Sequence, residues 1–160
     1  MEQRNRIPAD RAAATRIPID SIVFGYGPML PLVAAGVGAW VLPPGWGMLA
    51  IRLAIVWGAL ILSFIGGVRR GFGFATPRAS TAVEIVAAVG YVTIAGLALL
   101  VPYATTALAL LAVGYALAAL LDRRAALAGN APAHFARLRP PQLLLGCAGL
   151  AAAWTWLMSG

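Results

Sequence analysis

Long apolar runs alternate along the chain with short polar interruptions, on the length scale of a membrane crossing. Five runs, over residues 21–42, 47–68, 82–101, 104–121 and 141–158, each come close to the ~20 apolar residues an α-helix needs to cross a hydrocarbon layer about 30 Å thick. A bilayer interior has no water to satisfy backbone groups, so apolar runs of this length predict helices that satisfy their own N–H and C=O groups. The expected fold class is all-α: an integral membrane bundle of five transmembrane helices over 20–159, preceded by a polar, arginine-bearing tail over 1–19.

The interruptions support these boundaries. Pro28 and Pro31 fall in the opening turns of the first run, where proline kinks a membrane helix whose freed carbonyls find other donors. This run is long for the apolar core of a cleaved signal peptide, and no A-x-A site closes it, so it reads as a retained helix. Pro43-Pro44-Gly45-Trp46 and Pro102-Tyr103 make tight, uncharged turns. Gly66 and Gly67 close the second run, and the segment from Arg69 to Ser80, with three arginines and Pro77, reads as a loop carrying interfacial aromatics. Thr81-Ala82-Val83-Glu84 has the spacing of a capping box at the start of the third helix. Asp122-Arg123-Arg124 ends the fourth run and Gly129-Asn130 marks a stop. The stretch 132–139 then predicts a short interfacial helix with Phe135 and Leu138 toward the membrane, and Pro140-Pro141 opens the fifth span.

Composition excludes a water-soluble domain: 61% of the residues are hydrophobic, mean hydropathy is +0.85 and only 11% are charged, against about a quarter in an ordinary soluble domain. The formal net charge of +7 would suggest nucleic acid in a soluble protein. Here no lysine occurs, and the arginines flank apolar runs, where they set topology and meet anionic lipid headgroups. With five spans, eleven of the twelve arginines fall on one side: Arg4, Arg6, Arg11, Arg16, Arg69, Arg70, Arg78, Arg123, Arg124, Arg137 and Arg139. The positive-inside rule then places the N-terminus in the cytoplasm and the C-terminus outside, in the cytoplasmic (inner) membrane. Trp40, Trp46, Tyr103, Trp154 and Trp156 would form the outer aromatic belt. Small residues at four-residue spacing, Ala34/Gly38, Gly114/Ala118 and Ala148/Ala152, suit close helix packing, including contact with a membrane-protein partner or a second copy.

Candidate chemistry is sparse. A single histidine, His134, and a single cysteine, Cys147, leave no multi-histidine metal site, bis-histidine haem or disulfide within one chain. No G-x-S-x-G, Walker or dinucleotide-binding pattern occurs, so no catalytic, metal or cofactor residues are expected. Arg52 lies roughly 8 Å into its span at 1.5 Å per residue, shallow enough for its side chain to snorkel to the headgroups, or else to meet an anionic ligand. Glu84 is explained by the capping box, with Arg69 and Arg70 near enough to pair with it; the functional alternative is a proton carrier at a membrane entrance. Asp122 is expected to pair with a loop arginine, because an acid is unfavourable at a helix C-terminus. Trp57 and Tyr91, with Arg52 and the proline-broken first helix, frame a second possibility, a ligand site near the bilayer interior. The expected function is that of a non-enzymatic accessory or assembly subunit of a larger membrane (bioenergetic) complex. The alternative is a binder or carrier of a small hydrophobic or anionic ligand.

Three segments carry a family resemblance: Gly25-Tyr26-Gly27-Pro28-Met29-Leu30-Pro31, Leu62-Ser63-Phe64-Ile65-Gly66-Gly67-Val68, and Leu120-Leu121-Asp122-Arg123-Arg124 with Pro132 to Pro140 downstream. Over about residues 17–158 the chain resembles the domain-of-unknown-function family thirty-four twenty-nine, and through it the mitochondrial transmembrane protein sixty-nine. The resemblance implies a small multi-span inner-membrane protein and supplies no reaction.

Overall fold

The computed structural model describes residues 19–75 and 82–159, and all regular structure among them is helical. Helix α1 (Ile19–Tyr26) passes through a 3-10 turn (Gly27–Met29) into α2 (Leu30–Val41). It is followed by α3 (Pro44–Ala75), α4 (Ala82–Leu100), α5 (Ala104–Leu127) and α6 (Phe135–Ser159). Taken as one kinked segment, α1 and α2 join the other four to give five helices long and apolar enough to cross a membrane, as the hydropathy pattern predicts. The kink has its cause in the two prolines: Leu30 N–H closes onto the Gly27 carbonyl in a tight turn. The Trp57 indole N–H, from α3, donates to the Pro28 carbonyl at 2.8 Å.

Sequence neighbours pack side by side from α2 to α6, and α6 returns against α2 to close the bundle. The core is filled by Leu32, Ile51, Leu62, Leu108, Leu111 and Leu150, with Tyr115 fully buried and its hydroxyl donating to the Gly58 carbonyl at 3.1 Å. Large apolar side chains such as Leu53, Phe64 and Val86 point outward, the arrangement a lipid solvent favours. The closing contact depends on glycine. A Cβ on Gly36 would stand 2.5 Å from the Gly149 carbonyl oxygen, and one on Gly149 would stand 2.5 Å from that of Leu32, so α2 and α6 meet backbone to backbone.

Four boundaries differ from the sequence expectation. The first turn is shorter than expected: Pro44, whose fixed φ suits a helix start, opens α3, so Gly45 and Trp46 are already helical. The second span does not end at Val68: α3 continues to Ala75, so Arg69 and Arg70 are helical rather than in a loop. Gly66 is not a stop but a contact, since a Cβ there would lie 2.9 Å from the Ala88 carbonyl oxygen of α4. The fourth span likewise runs past Asp122 to Leu127, because the acid is neutralised inside the bundle. It terminates where Gly129 adopts φ +80, with Asn130 N–H donating to Ala125 O at 2.8 Å and Gly129 N–H to Ala126 O at 3.3 Å, a Schellman closure. Finally, 132–139 is not a separate interfacial helix. Helix α6 begins at Phe135 and continues through Pro140 and Pro141, which lie near its start and free only the carbonyls four residues before them. Leu138 is buried rather than facing lipid, and Phe135 packs edge-on against Phe72 at 5.6 Å. The expected capping residue Thr81, Arg78 and the tail through residue 18 lie outside the described residues.

Candidate functional site

The four charged residues that meet inside the bundle lie on the apolar stripes of their own helices. On α3 the buried positions Ile51, Ile55, Gly58, Leu62 and Ile65 lead at alternating spacings of four and three to Arg69. The same rhythm links Glu84 to Ala88, Tyr91, Ala95 and Ala98 on α4. On α5 it runs from Leu108 through Leu111, Tyr115 and Ala118 to Asp122, and on α6 from Arg139 to Leu143, Gly146, Leu150 and Ala153. A side chain on such a stripe faces the interior whatever its polarity.

At the end of the bundle where α3 and α5 finish and α4 and α6 begin, these residues form one cluster. Arg69 is its centre: Nη2 pairs with Glu84 Oε2 at 2.7 Å and Nη1 with Asp122 Oδ1 at 2.5 Å. Arg69 Nη1 also donates to the Tyr91 hydroxyl oxygen at 3.2 Å, and that hydroxyl donates to Asp122 Oδ1 at 3.4 Å. Arg139 approaches from α6, with Nε 3.8 Å from Asp122 Oδ2 and its guanidinium 4.5 Å above the Phe135 ring. Side-chain exposure is 5% for Arg69, 7% for Asp122, 9% for Arg139 and 12% for Glu84. Two buried cations facing two buried anions make a balanced set, the condition under which charge is tolerated in a low-dielectric interior. Both carboxylates are engaged by guanidinium groups, so the cluster ties α3, α4, α5 and α6 together at this end of the bundle.

Of the residues singled out from sequence, Arg69, Glu84 and Tyr91 are brought together. Arg70 is partly exposed on the same turn as Arg69. Arg52 is exposed on α3, about 25 Å from Arg69 along the helix axis at 1.5 Å per residue. Trp57 is occupied with the Pro28 carbonyl. Arg52, Trp57 and Tyr91 therefore do not share one site. Asp122 does pair with an arginine, as expected, though with a helical one. Arg139 and Gln142 are functional candidates the sequence reading passed over, and for Arg139 the signal was available as continuation of the α6 stripe.

Beside the cluster lies a cavity of about 430 Å³ between α1, α3 and α6, lined by Phe24, Gly25, Ile61, Phe64, Arg139 and Gln142 among others. A second cavity of about 420 Å³, between α2 and α3, is lined almost wholly by apolar residues, including Pro31, Ala34, Leu53 and Trp57.

A family model described as a protein of unknown function (DUF3429) matches residues 17–157, which takes in α1 to α5 and nearly all of α6. No curated protein and no solved structure matches the chain.

Proposed function

The chain belongs to the DUF3429 family of proteins of unknown function, and from that starting point we propose that it is a non-enzymatic accessory or assembly subunit that packs against another membrane protein. The observation that carries this reading is an uncovered ridge on α3. Ser63, Gly67 and Gly71 recur at four-residue spacing; both glycines are exposed, and a Cβ added to either would meet nothing within 4 Å. Small residues at this spacing let a second helix approach closely in lipid, where packing rather than the hydrophobic effect drives association. Gly66, next in the chain, already performs that role toward α4. In the same proposal the protein sits in the cytoplasmic membrane with its N-terminus inside, its arginine-bearing end against anionic headgroups.

Purification of the full chain in mild detergent, followed by mass spectrometry of the intact complex, tests the reading. A stoichiometric partner that is released by Gly67→Leu with Gly71→Leu, while helicity and melting are retained, supports it. A wild-type protein isolated without a partner, or a partner unaffected by both substitutions, overturns it.

A further inference from the structure

Between α1 and α2 the helical ladder is interrupted twice. Pro28 and Pro31 have no N–H, so the Phe24 and Gly27 carbonyls lose the bond that the residue four positions on would donate in a continuous helix. Leu30 N–H meets Gly27 in the 3-10 turn instead, and helices bend where the ladder is broken in this way. On the far side of that turn α1 is weakly anchored. Its one buried residue is Gly25, which has no side chain to insert into the bundle. Among the described residues, no side chain of α1 makes a hydrogen bond or ion pair with another helix. Between α1 and α3 lies the cavity of about 430 Å³ rather than a packed surface, while Ile19, Val23 and Phe24 point outward. Few buried contacts mark the segments of a fold that open most easily, and in lipid an apolar side chain that leaves the bundle meets an equally apolar solvent.

We propose that α1 is a hinged lid, which pivots at Gly27–Met29 and swings away from α6 into the lipid, opening the cavity sideways and uncovering Gln142. Two features set the balance between its docked and displaced forms. The latch is Trp57, whose indole N–H donates to the Pro28 carbonyl at 2.8 Å and pins the pivot to α3. Opposing it is Gln142, on which α1 closes at Gly25: a Cβ there would stand 3.2 Å from Gln142 Oε1 and 3.6 Å from Leu138 Cδ2. That oxygen is buried with no hydrogen-bond partner. Docking therefore seals an unmet acceptor, which is costly, and displacement releases it. Gly27 lets the pivot turn, since nothing lies within 4 Å of the place a Cβ would take. Phe24 moves with the lid and Phe64 stays with α3, so the opening runs between two exposed rings on the lipid-facing surface. No residue of the α3 ridge takes part, and the lid stands whether or not a protein partner docks there.

The test is double electron–electron resonance on the full chain in lipid nanodiscs, with spin labels at Val23→Cys on α1 and Val86→Cys on α4 and with Cys147 replaced by alanine. Both label sites are exposed. A docked and a displaced separation are expected. Trp57→Phe should raise the ratio of displaced to docked protein about threefold, the weight of one interhelical hydrogen bond in a membrane. Gly25→Leu, whose side chain has no room against Gln142, should make the displaced form dominant. Gln142→Leu, which removes the unmet acceptor, should lower the ratio about fivefold or more when combined with Trp57→Phe. Arg52→Ala, on an exposed face of α3, should change nothing. Circular dichroism separates movement of the lid from unfolding; if Gly25→Leu loses helicity, the Trp57 and Gln142 arms decide. A single separation that neither Trp57→Phe nor Gly25→Leu alters overturns the proposal, as does a gain of the displaced form on Gln142→Leu.

Discussion

Replacing Arg69 by glutamine removes the one cation that both buried acids share. The substitution deletes the 2.7 Å pair with Glu84 and the 2.5 Å pair with Asp122, together with the donor to Tyr91. Among the described residues it leaves Asp122 with Arg139, 3.8 Å away, as its remaining ion-pair partner. Breaking a buried pair by removing one partner typically costs about 3–5 kcal/mol, mainly because a charge is stranded. Glu84, the most exposed member at 12%, can relieve part of its share at the rim. The expected loss is therefore about 3 kcal/mol, toward the lower end of that range. Asp122→Asn leaves the Arg69–Glu84 pair intact but strands Arg139, for a comparable loss. The double variant has one cation and one anion again and should be less destabilised than the sum of the singles by about 1–3 kcal/mol. Reversible unfolding in mixed detergent and dodecyl sulfate micelles measures all three. An ordinary interhelical hydrogen bond in a membrane couples by only about 0.6 kcal/mol. Single losses below ~1 kcal/mol with additivity inside ~0.5 kcal/mol would therefore refute the charge-balance account.

Other expectations follow from the packing and the topology. Gly36→Ala places a methyl 2.5 Å from the Gly149 carbonyl oxygen and should destabilise the bundle by about 1–3 kcal/mol through separation of α2 from α6, measured in the same micelle titration. Tyr115→Phe loses the hydroxyl's bond to Gly58 and should cost about 0.5–1.5 kcal/mol without shifting helicity by circular dichroism. Arg52→Gln, on an exposed surface, should change stability by no more than about 0.5 kcal/mol. Cysteines placed at Gly45 and at Gly129, in a chain with Cys147 replaced by alanine, should label from opposite sides of the membrane; labelling from one side would remove the orientation and the lipid contacts derived from it.

The fold was legible because hydropathy and helix length are set by the same quantity, the thickness of the hydrocarbon layer. Five crossings and the uncharged Pro102-Tyr103 turn follow from it directly, whereas three of the four residues expected in the first turn belong to α3. What misled was local charge. Arg69 and Asp122 look like the ends of their spans, because an isolated ion in lipid is expensive; each is in fact cancelled by a residue from another helix, and no single helix contains that information. The stripe of apolar positions at spacings of three and four did contain it, since it carries Arg69, Asp122 and Arg139 onto the core side. The paired glycines misled in the same way, because Gly66 serves a neighbouring backbone and no periodicity reports that. The cavity beside Gln142 is not legible in the sequence, because its wall is assembled from residues of three helices, α1, α3 and α6.

The order in which the charged residues occur along the chain bears on biogenesis. As the chain is synthesised, α3 and α4 emerge as a hairpin that carries Arg69 and Glu84, already able to neutralise each other. The next hairpin, α5 with α6, brings Asp122 and Arg139. Each hairpin therefore brings its inward-facing acid together with an inward-facing arginine, so that neither acid waits for a later segment to supply a partner, and only the final docking of the two hairpins joins the halves of the network.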